Sequence, residues 1–429
     1  MELKGKRLLL MGGGAYAKYI KQYADEQGIY IVAVGNVPNA PIKQIADESF
    51  DIDTQDVKAI IKLVKEKRID GIFVGASEEN MIPAITVSEE TTARFYTTRE
   101  QWELLSNKRS FMECAQKHNI PTPKNYNLTE EFRREELNKI VYPVIVKPVD
   151  GSGAKGLNVC YNEKELMFYY KEAMKYSLKK DVIVEELITD SEEVFFIYTI
   201  QNGKGNLSAA FTKSVVKSEK HYISLPIFHI YPSRYIDEFM ETVNDEMQKM
   251  FQDVGLKNGV ISLQGFHSKK GFCFFEAGYR MGGEQMYVLT EKMNGTNSLH
   301  MMLNLVLCGK MEEYDIEQKD SARFPYPCCN YYVPLKAGVI SQIIGLEEVE
   351  KMSQVLNVTK IRFPGDVIDE NNSLGRVALR LHVWDETPEK LASTLEKISA
   401  TIRILDENEN EMQIEHLTYA RCLETIMAS

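Results

Sequence analysis

The chain is poor in the features that would mark several protein classes. Its seven cysteines are an odd set without C-x-x-C spacing, and two of them, Cys328 and Cys329, are adjacent. Neither a disulfide framework nor a thiolate zinc site is written into that pattern, so reduced and mostly packed thiols are expected. No apolar run is long enough to span a bilayer. The opening stretch, Met1 to Met11, reaches glycines before it could form a signal-peptide core, and a cytoplasmic protein with no membrane partner is expected. Basic residues are outnumbered, 51 Lys and Arg against 62 Asp and Glu, for a formal charge of −11. That sign argues against a nucleic-acid surface; the pairs Arg133-Arg134 and Lys179-Lys180 read as solvated helix faces. Internal repeats, low-complexity tracts and any Ser-His-Asp or Cys-His set are missing as well.

What is there has the composition of a globular protein: 429 residues, 44% hydrophobic and 26% charged, with room for about two to four domains. The first ninety or so residues alternate strand and helix. Strands are predicted over Arg7 to Met11, Ile29 to Gly35 and Asp70 to Gly75, and helices over Ala15 to Gln27 and Gln55 to Lys67, which implies a parallel sheet with helices on its faces. The turn Gly12-Gly13-Gly14-Ala15-Tyr16-Ala17 fits G-x-G-x-x-A between strand and helix. A nicotinamide dinucleotide would also want an acidic residue after the second strand, which instead ends Val34-Gly35-Asn36-Val37-Pro38. Close helix packing, or a substrate at the helix N-terminus, are the remaining uses of that turn. Ser77-Glu78-Glu79-Asn80 follows a strand where open sheets place ligand residues, or is simply a helix cap.

A helix is predicted from Arg99 to Lys117, stopped by Ile120-Pro121-Thr122-Pro123. Then comes the most informative stretch, Val144-Ile145-Val146-Lys147-Pro148-Val149-Asp150-Gly151-Ser152-Gly153-Ala154-Lys155-Gly156-Leu157-Asn158-Val159. Glycines let backbone N–H groups approach phosphate oxygens, and Lys147 and Lys155 supply positive charge. Gly151, Gly153 and Gly156 match G-x-G-x-x-G, but a second strand rather than a helix follows. The loop is therefore the tip of a hairpin folding over phosphates, in the kinase-like manner. Beyond it a helix from Glu163 to Lys175, strands over Val182 to Ile188, Val194 to Ile200 and Leu207 to Phe211, and a helix from Asn297 to Leu307 are expected. From Phe324 the pattern is α+β: helices over Glu347 to Val355 and Pro388 to Lys397, and strands over Val377 to Val383 and Thr401 to Leu405.

Lys108, Lys147 with its glycine loop, Glu185-Glu186-Leu187-Ile188 and Phe274-Phe275-Glu276-Ala277-Gly278-Tyr279-Arg280 occur in an order that resembles the ATP-grasp superfamily, and in particular its carboxylate–amine ligases of biotin-carboxylase-like and L-amino-acid-ligase-like layout. The resemblance covers nearly the whole chain. It implies a mixed α/β and α+β protein: an N-terminal parallel-sheet domain over residues 1–95, an ATP-grasp domain of two α+β subdomains over 96–315, and a C-terminal α+β cap over 316–429. A homodimer is that family's habit.

By the same resemblance, Lys108 and Lys147 contact nucleotide phosphates under the flap of Gly151, Ser152, Gly153, Lys155 and Gly156. Glu185, with the Glu186 to Leu187 backbone, meets adenine. Of Glu192 and Glu193, the second is favoured for the ribose because a strand begins directly after it. The family's magnesium pattern is a carboxylate on one strand and E-x-N-x-R on the next. Glu276 and Arg280 match, Gly278 replaces the Asn, and the upstream position falls on Gln264. Magnesium, or manganese in its place, would be held by Glu276, the Gln264 carbonyl and ATP oxygens, with Glu284 as a further source of charge. Arg280 suits a developing acyl-phosphate, with a salt bridge to Glu276 as its alternative. Among Lys213, Lys217 and His221, one is expected to point at the nucleotide or second substrate, and Lys213 is the one chosen for a catalytic role; His221 and His229 lack metal spacing. Arg376 or Arg380 would face the acceptor pocket.

The implied activity is ADP-forming ligation of a small carboxylic acid or amino acid to an amine through an acyl-phosphate. A nucleotide-binding homologue with weakened or lost catalysis, and a carboxylase or phosphoryl transferase without an amine acceptor, are the rival readings.

Overall fold

The computed structural model describes residues 2–150, 156–216, 225–311, 316–369 and 374–429. The N-terminal part is a parallel four-stranded sheet in the order Glu48–Phe50, Tyr30–Val34, Arg7–Leu10, Gly71–Phe73. Its inner strands Tyr30–Val34 and Arg7–Leu10 are buried on both faces because both are covered. Leu8 and Leu10 pack with Ile20 and Tyr23 of the helix Ala17–Gln27 and with Leu303 of the helix Ser298–Cys308. Leu9 and Met11 pack with Ile60, Leu63 and Val64 of the helix Val57–Lys67.

The glycine turn after the first strand serves close packing. A Cβ on Gly12 would lie 2.8 Å from the Val74 carbonyl oxygen, and one on Gly75 would lie 2.6 Å from the Cα of Gly13. Asn80, buried, donates to the Met11 carbonyl and, at 3.0 Å, to Ser77 Oγ. Ser77 makes no side-chain cap bond to the 3₁₀ turn Glu78–Asn80, so the simple helix-cap reading of this segment is set aside.

A smaller antiparallel sheet follows, in the order Asn125–Tyr126, Val182–Glu186, Val144–Pro148, Asn158–Cys160. The helix Glu163–Tyr176 covers one face through Leu166, Tyr170 and Ala173. Val144 pairs with Cys160 and Val146 with Asn158, the hairpin expected around the glycine loop. The largest sheet has eight antiparallel strands: Gly271–Gly278, Gly259–Ser268, Glu192–Gln201, Lys204–Val216, Leu225–Tyr231, Cys328–Pro334, Val377–Trp384 and Val355–Lys360. It takes strands from both sides of residue 315. Val194, Phe196, Leu263 and Phe274 on one face pack against Phe239, Met247 and Phe251 of the helices Ile236–Thr242 and Asn244–Asp253.

Among the element boundaries that differ from the sequence reading, three have a visible local cause. The helix expected from Arg99 to Lys117 is two, Arg99–Ser106 and Lys108–Lys117, because Asn107 leaves the helical conformation and its side chain accepts from Ser110 N at 3.0 Å. The helix expected from Glu347 to Val355 is only Leu346–Val349, and Val355 opens a strand that runs to Lys360, its β-branched residues pairing with Val377–Trp384. Thr401 ends the helix Pro388–Thr401, so the strand expected from it begins at Arg403.

Candidate active site

The cleft lies between the small sheet and the edge of the large one. Alternation places Lys147 and Glu185 on the same face of neighbouring strands, since Ile145 pairs with Glu185 and Lys147 with Ile183. Lys147 Nζ is 2.7 Å from Glu185 Oε2, and the side chains are only 8% and 1% exposed. Glu185 Oε1 is buried and has no hydrogen-bond partner among the described residues. On the facing strand Phe275 lies 5.2 Å below Lys147 Nζ, and its ring is 4.9 Å from that of Phe266. Cys273 sits on the same strand; burial pushes its thiol up to about 12, reinforced by Glu186 and Glu185, so it stays protonated and inert.

The strands Gly259–Ser268 and Gly271–Gly278 put Gln264 directly opposite Glu276. Glu276 is 3.6 Å from Lys108 Nζ, a loose contact that leaves its carboxylate about one-third exposed. The first-turn position of Lys108 follows from the break at Asn107, and its amide donates to the Val149 carbonyl at 3.3 Å. Gln264 donates through its side-chain amide to Glu193, whose carboxylate also holds Lys213 at 2.8 and 3.0 Å. Glu192 instead binds Arg234 and Tyr235. Gly278 has no room for a larger residue without a shift, since a Cβ there would meet Ser262 Oγ at 3.0 Å. Glu186 N donates to Lys124 O at 3.0 Å, and Leu187 N to Pro143 O at 3.4 Å.

Beyond Glu276 the chain enters a loop held from three directions. Tyr16 OH donates to Gly282 O at 2.5 Å, Arg380 donates to Gly283 O and Gln285 Oε1, and Asn330 and His382 donate to Glu284 O at 3.0 and 2.8 Å. Gln285 reaches back to Ala15 O. The Glu284 carboxylate lies over Gly282, where a Cβ would come within 1.9 Å of it. Burial, helped by the neighbouring Arg380 charge, drives His382 down to about 3, and His229, beside Lys213 and Arg380, is pushed well below the ordinary imidazole range. Both rings are neutral hydrogen-bonding wall residues.

Residues 107–314 match the family model for the carbamoyl-phosphate synthase L chain ATP-binding domain. The formate-dependent phosphoribosylglycinamide formyltransferase of Prochlorococcus marinus (strain MIT 9515) is 30% identical over 207 residues, 47% of this chain and 52% of that protein. The carbamoyl phosphate synthase large chain of Clostridium perfringens (strain 13 / Type A) is 21% identical over 67% of this chain and 27% of its own. This chain thus spans about half the length of the formyltransferase. Among solved structures, the biotin carboxylase domain of Hydrogenobacter thermophilus 2-oxoglutarate carboxylase, a dimer in complex with MgADP, ADP and bicarbonate, superposes with a TM-score of 0.77 at 20% identity, over 95% of this chain and 91% of that one. The L-amino acid ligase of Bacillus licheniformis gives the same score at 18% identity, over 94% and 100%. The chain has the fold of these ATP-grasp structures.

Within its ATP-grasp cleft, the structure brings Lys108, Lys147, Glu185, Gln264 and Glu276 together, with Glu193 and Lys213 alongside. Two sequence expectations change. Arg280 pairs not with Glu276 but with Glu78, at 2.6 Å, because the chain turns away from the sheet after Gly278. Arg380 comes to the Gly282–Gln285 loop, whereas Arg376 donates to Leu335 O at 2.9 Å. Gly151, Ser152, Gly153, Lys155, Lys217 and His221 lie outside the described residues. Gly156 is described: its φ is +75°, and a Cβ would meet Pro148 and Tyr176 at 3.0 Å. The Phe266–Phe275 ring pair escaped the sequence reading. Alternation along the two strands was its signal, readable only once their pairing register is known.

Proposed function

We propose that this ATP-grasp chain is an ATP-dependent carboxylate–amine ligase. ATP's γ-phosphoryl group passes to a carboxylate oxygen, ADP leaves, and an amine attacks the acyl-phosphate carbonyl and expels phosphate. The observation that carries the reading is the convergence of Lys108, Lys147, Glu185 and Glu276 between two antiparallel sheets.

The residues fit a purine nucleotide. Glu185 Oε1, a buried acceptor lacking a donor among the described residues, suits an exocyclic amino group. The Phe266 and Phe275 rings supply an apolar platform. Lys108 and Lys147 would neutralise phosphate oxygens, the Glu186 to Leu187 backbone would meet adenine beside Glu185, Glu193 would meet the ribose, and the Gly151–Gly156 hairpin would close over the phosphates. Glu276 and the Gln264 carbonyl would hold magnesium, or manganese, whose part is to screen the phosphate charge. Nucleotide oxygens and water would complete the shell. Arg280 and Lys213 would stabilise charge at the reacting carboxylate. The division at residues 95 and 315, a homodimer and a cytoplasmic location belong to the same proposal.

A second reading is favoured by one observation: Gln264 spends its amide on Glu193, and Gly278 offers no side-chain ligand, which suits nucleotide binding without turnover. ADP release measured across carboxylate and amine panels, with and without magnesium, decides between them. Turnover requiring both substrates supports the ligase. Tight ATP binding without turnover favours the second reading, and turnover without an amine favours a carboxylase or phosphoryl transferase.

A further inference from the structure

Lys108 and Arg109 are consecutive residues that reach opposite walls of the cleft. Lys108 Nζ lies 3.6 Å from Glu276 on the edge of the large sheet. Arg109 turns to the small sheet, where Nη2 and Nε donate to the two carboxylate oxygens of Asp181 at 2.8 and 3.2 Å, and Nη2 also donates to Val182 O at 3.0 Å. We propose that Arg109 and Asp181 are positioning residues for nucleotide binding. Their ion pair fixes Lys108 relative to Lys147 and Glu185, and with it the span between the phosphate end and the base end of the site. The inference deepens the nucleotide-binding part of the ligase reading and rests on it.

The elements that the pair joins give it this role. The helix Lys108–Lys117 packs through Phe111, Met112 and Ala115 into the core of the large sheet, among Phe196, Leu263 and Phe274, and that core takes Val149 and Ile183 from the small sheet's side. Apolar packing is non-directional. It holds the helix in place without fixing an ammonium to the precision of about 0.5 Å that a binding constellation needs. Polar contacts supply the direction. Lys108 N donates to Val149 O and Val149 N to Asp181 O, each at 3.3 Å, and the Asp181 carboxylate returns to Arg109, so the circuit closes on itself. Its members flank both functional strands: Val149 follows Lys147 by two residues, and Val182, which pairs with Pro148, opens the strand that carries Glu185. Asp181 N is itself held, donating to Oγ of the buried Ser177 at 3.1 Å.

Stability explains the pair poorly. The two side chains are 27% and 41% exposed, and a part-exposed ion pair contributes little to folding. What a bidentate guanidinium–carboxylate fork adds is a fixed orientation. Charge alone would act in the opposite direction, since removing the Asp181 carboxylate makes the surroundings of a polyphosphate more positive and would favour its binding. Positioning requires a loss instead.

Calorimetry on the full chain with magnesium, titrating a nonhydrolysable ATP analogue and adenosine separately, reads the difference. Adenosine reports the base end, and the ratio of the two affinities reports phosphate recognition. Lys108→Met sets the reference loss. Arg109→Ala and Asp181→Asn are each expected to lower the ratio by about ten-fold, with adenosine affinity and melting temperature close to the parent's. Arg109→Lys keeps the charge but not the fork, and should leave the ratio low. In the Lys108→Met background neither change should lower it further, because no ammonium remains to be positioned. A ratio unchanged or raised in Asp181→Asn, one restored by Arg109→Lys, or an equal further fall in both backgrounds overturns the proposal. If Lys108→Met itself leaves the ratio unchanged, the assignment of Lys108 to the phosphates falls and the proposal with it. The expected losses without ADP release in a parallel assay leave the positioning role standing and remove the ligase reading instead.

Discussion

Lys147 and Glu185, 38 positions apart in the chain, are locked at 2.7 Å on adjacent strands of the small sheet with almost no solvent on either. Desolvating two charges is costly, and the pair survives because each is the other's compensation. Lys147→Ala therefore leaves a buried, unpaired carboxylate, and about 3–5 kcal/mol of stability should be lost. Lys147→Met together with Glu185→Gln should recover most of it. Urea denaturation of the parent and the two variants measures both effects. ATP binding should fail in the double variant despite its recovered fold, and retained affinity would remove this pair from the nucleotide site.

Gln264 faces Glu276 across two paired strands and donates to Glu193. Gln264→Glu turns that donor into an acceptor. Without metal, repulsion among Glu193, Glu276 and the new carboxylate should lower the melting temperature. Magnesium with an ATP analogue should raise it more than in the parent, and half-saturation should come at a lower magnesium concentration. An unchanged magnesium midpoint tells against Gln264 as a ligand.

Acid should weaken the fold through the neutral histidines. His382 titrates at about 3 in the folded chain, driven down by burial, against about 6.5 when unfolded. The unfolded chain therefore binds the extra proton first. The stability contributed by the neutral ring is full above about pH 6.5 and is lost as pH falls toward 3, at up to about 1.4 kcal/mol per pH unit. His229 acts in the same direction. Unfolding free energies between pH 7 and 4 should fall less steeply in His382→Asn, and parallel slopes would refute the assignment.

Glycine substitutions separate packing from openness. Gly75 has φ +61°, and a Cβ there would be 2.6 Å from Gly13 Cα and 3.0 Å from Tyr16. Gly75→Ala should cost well over about 1 kcal/mol. Gly283, beside which nothing lies within 4 Å, should accept alanine with little change in thermal denaturation.

The break at Asn107 has a measurable consequence. Asn107→Ala removes the bond to Ser110 N and should cost about 1 kcal/mol. Because the same cap sets the first-turn position of Lys108, ATP affinity should fall beyond what the stability loss explains, whereas Asn107→Asp should keep both.

Much of the site was legible in sequence because its markers are local. A lysine before a glycine loop, a Glu-Glu step at the end of a strand and a Glu four residues before an Arg each lie within one short segment, where spacing alone carries chemistry. The strand and helix alternation of the first ninety residues was legible for the same reason: hydrophobic period reports which faces are buried. The capping change at Asn107 and the short Leu346–Val349 helix were not, since helical pattern and strand pattern agree over such brief stretches until tertiary packing chooses.

What the sequence by itself determined is the inventory and order of chemical groups, together with the alternation that makes a hairpin of the glycine loop. Which charges neutralise which was decided only by the tertiary structure. Arg280 pairs with Glu78 rather than its near neighbour Glu276, Glu193 with Lys213 and Gln264, and Arg380 rather than Arg376 with the Gly282–Gln285 loop. These partners lie up to 202 positions apart, and a Coulomb or hydrogen-bond contact depends on distance in space, which strand register and domain packing set and local sequence does not encode.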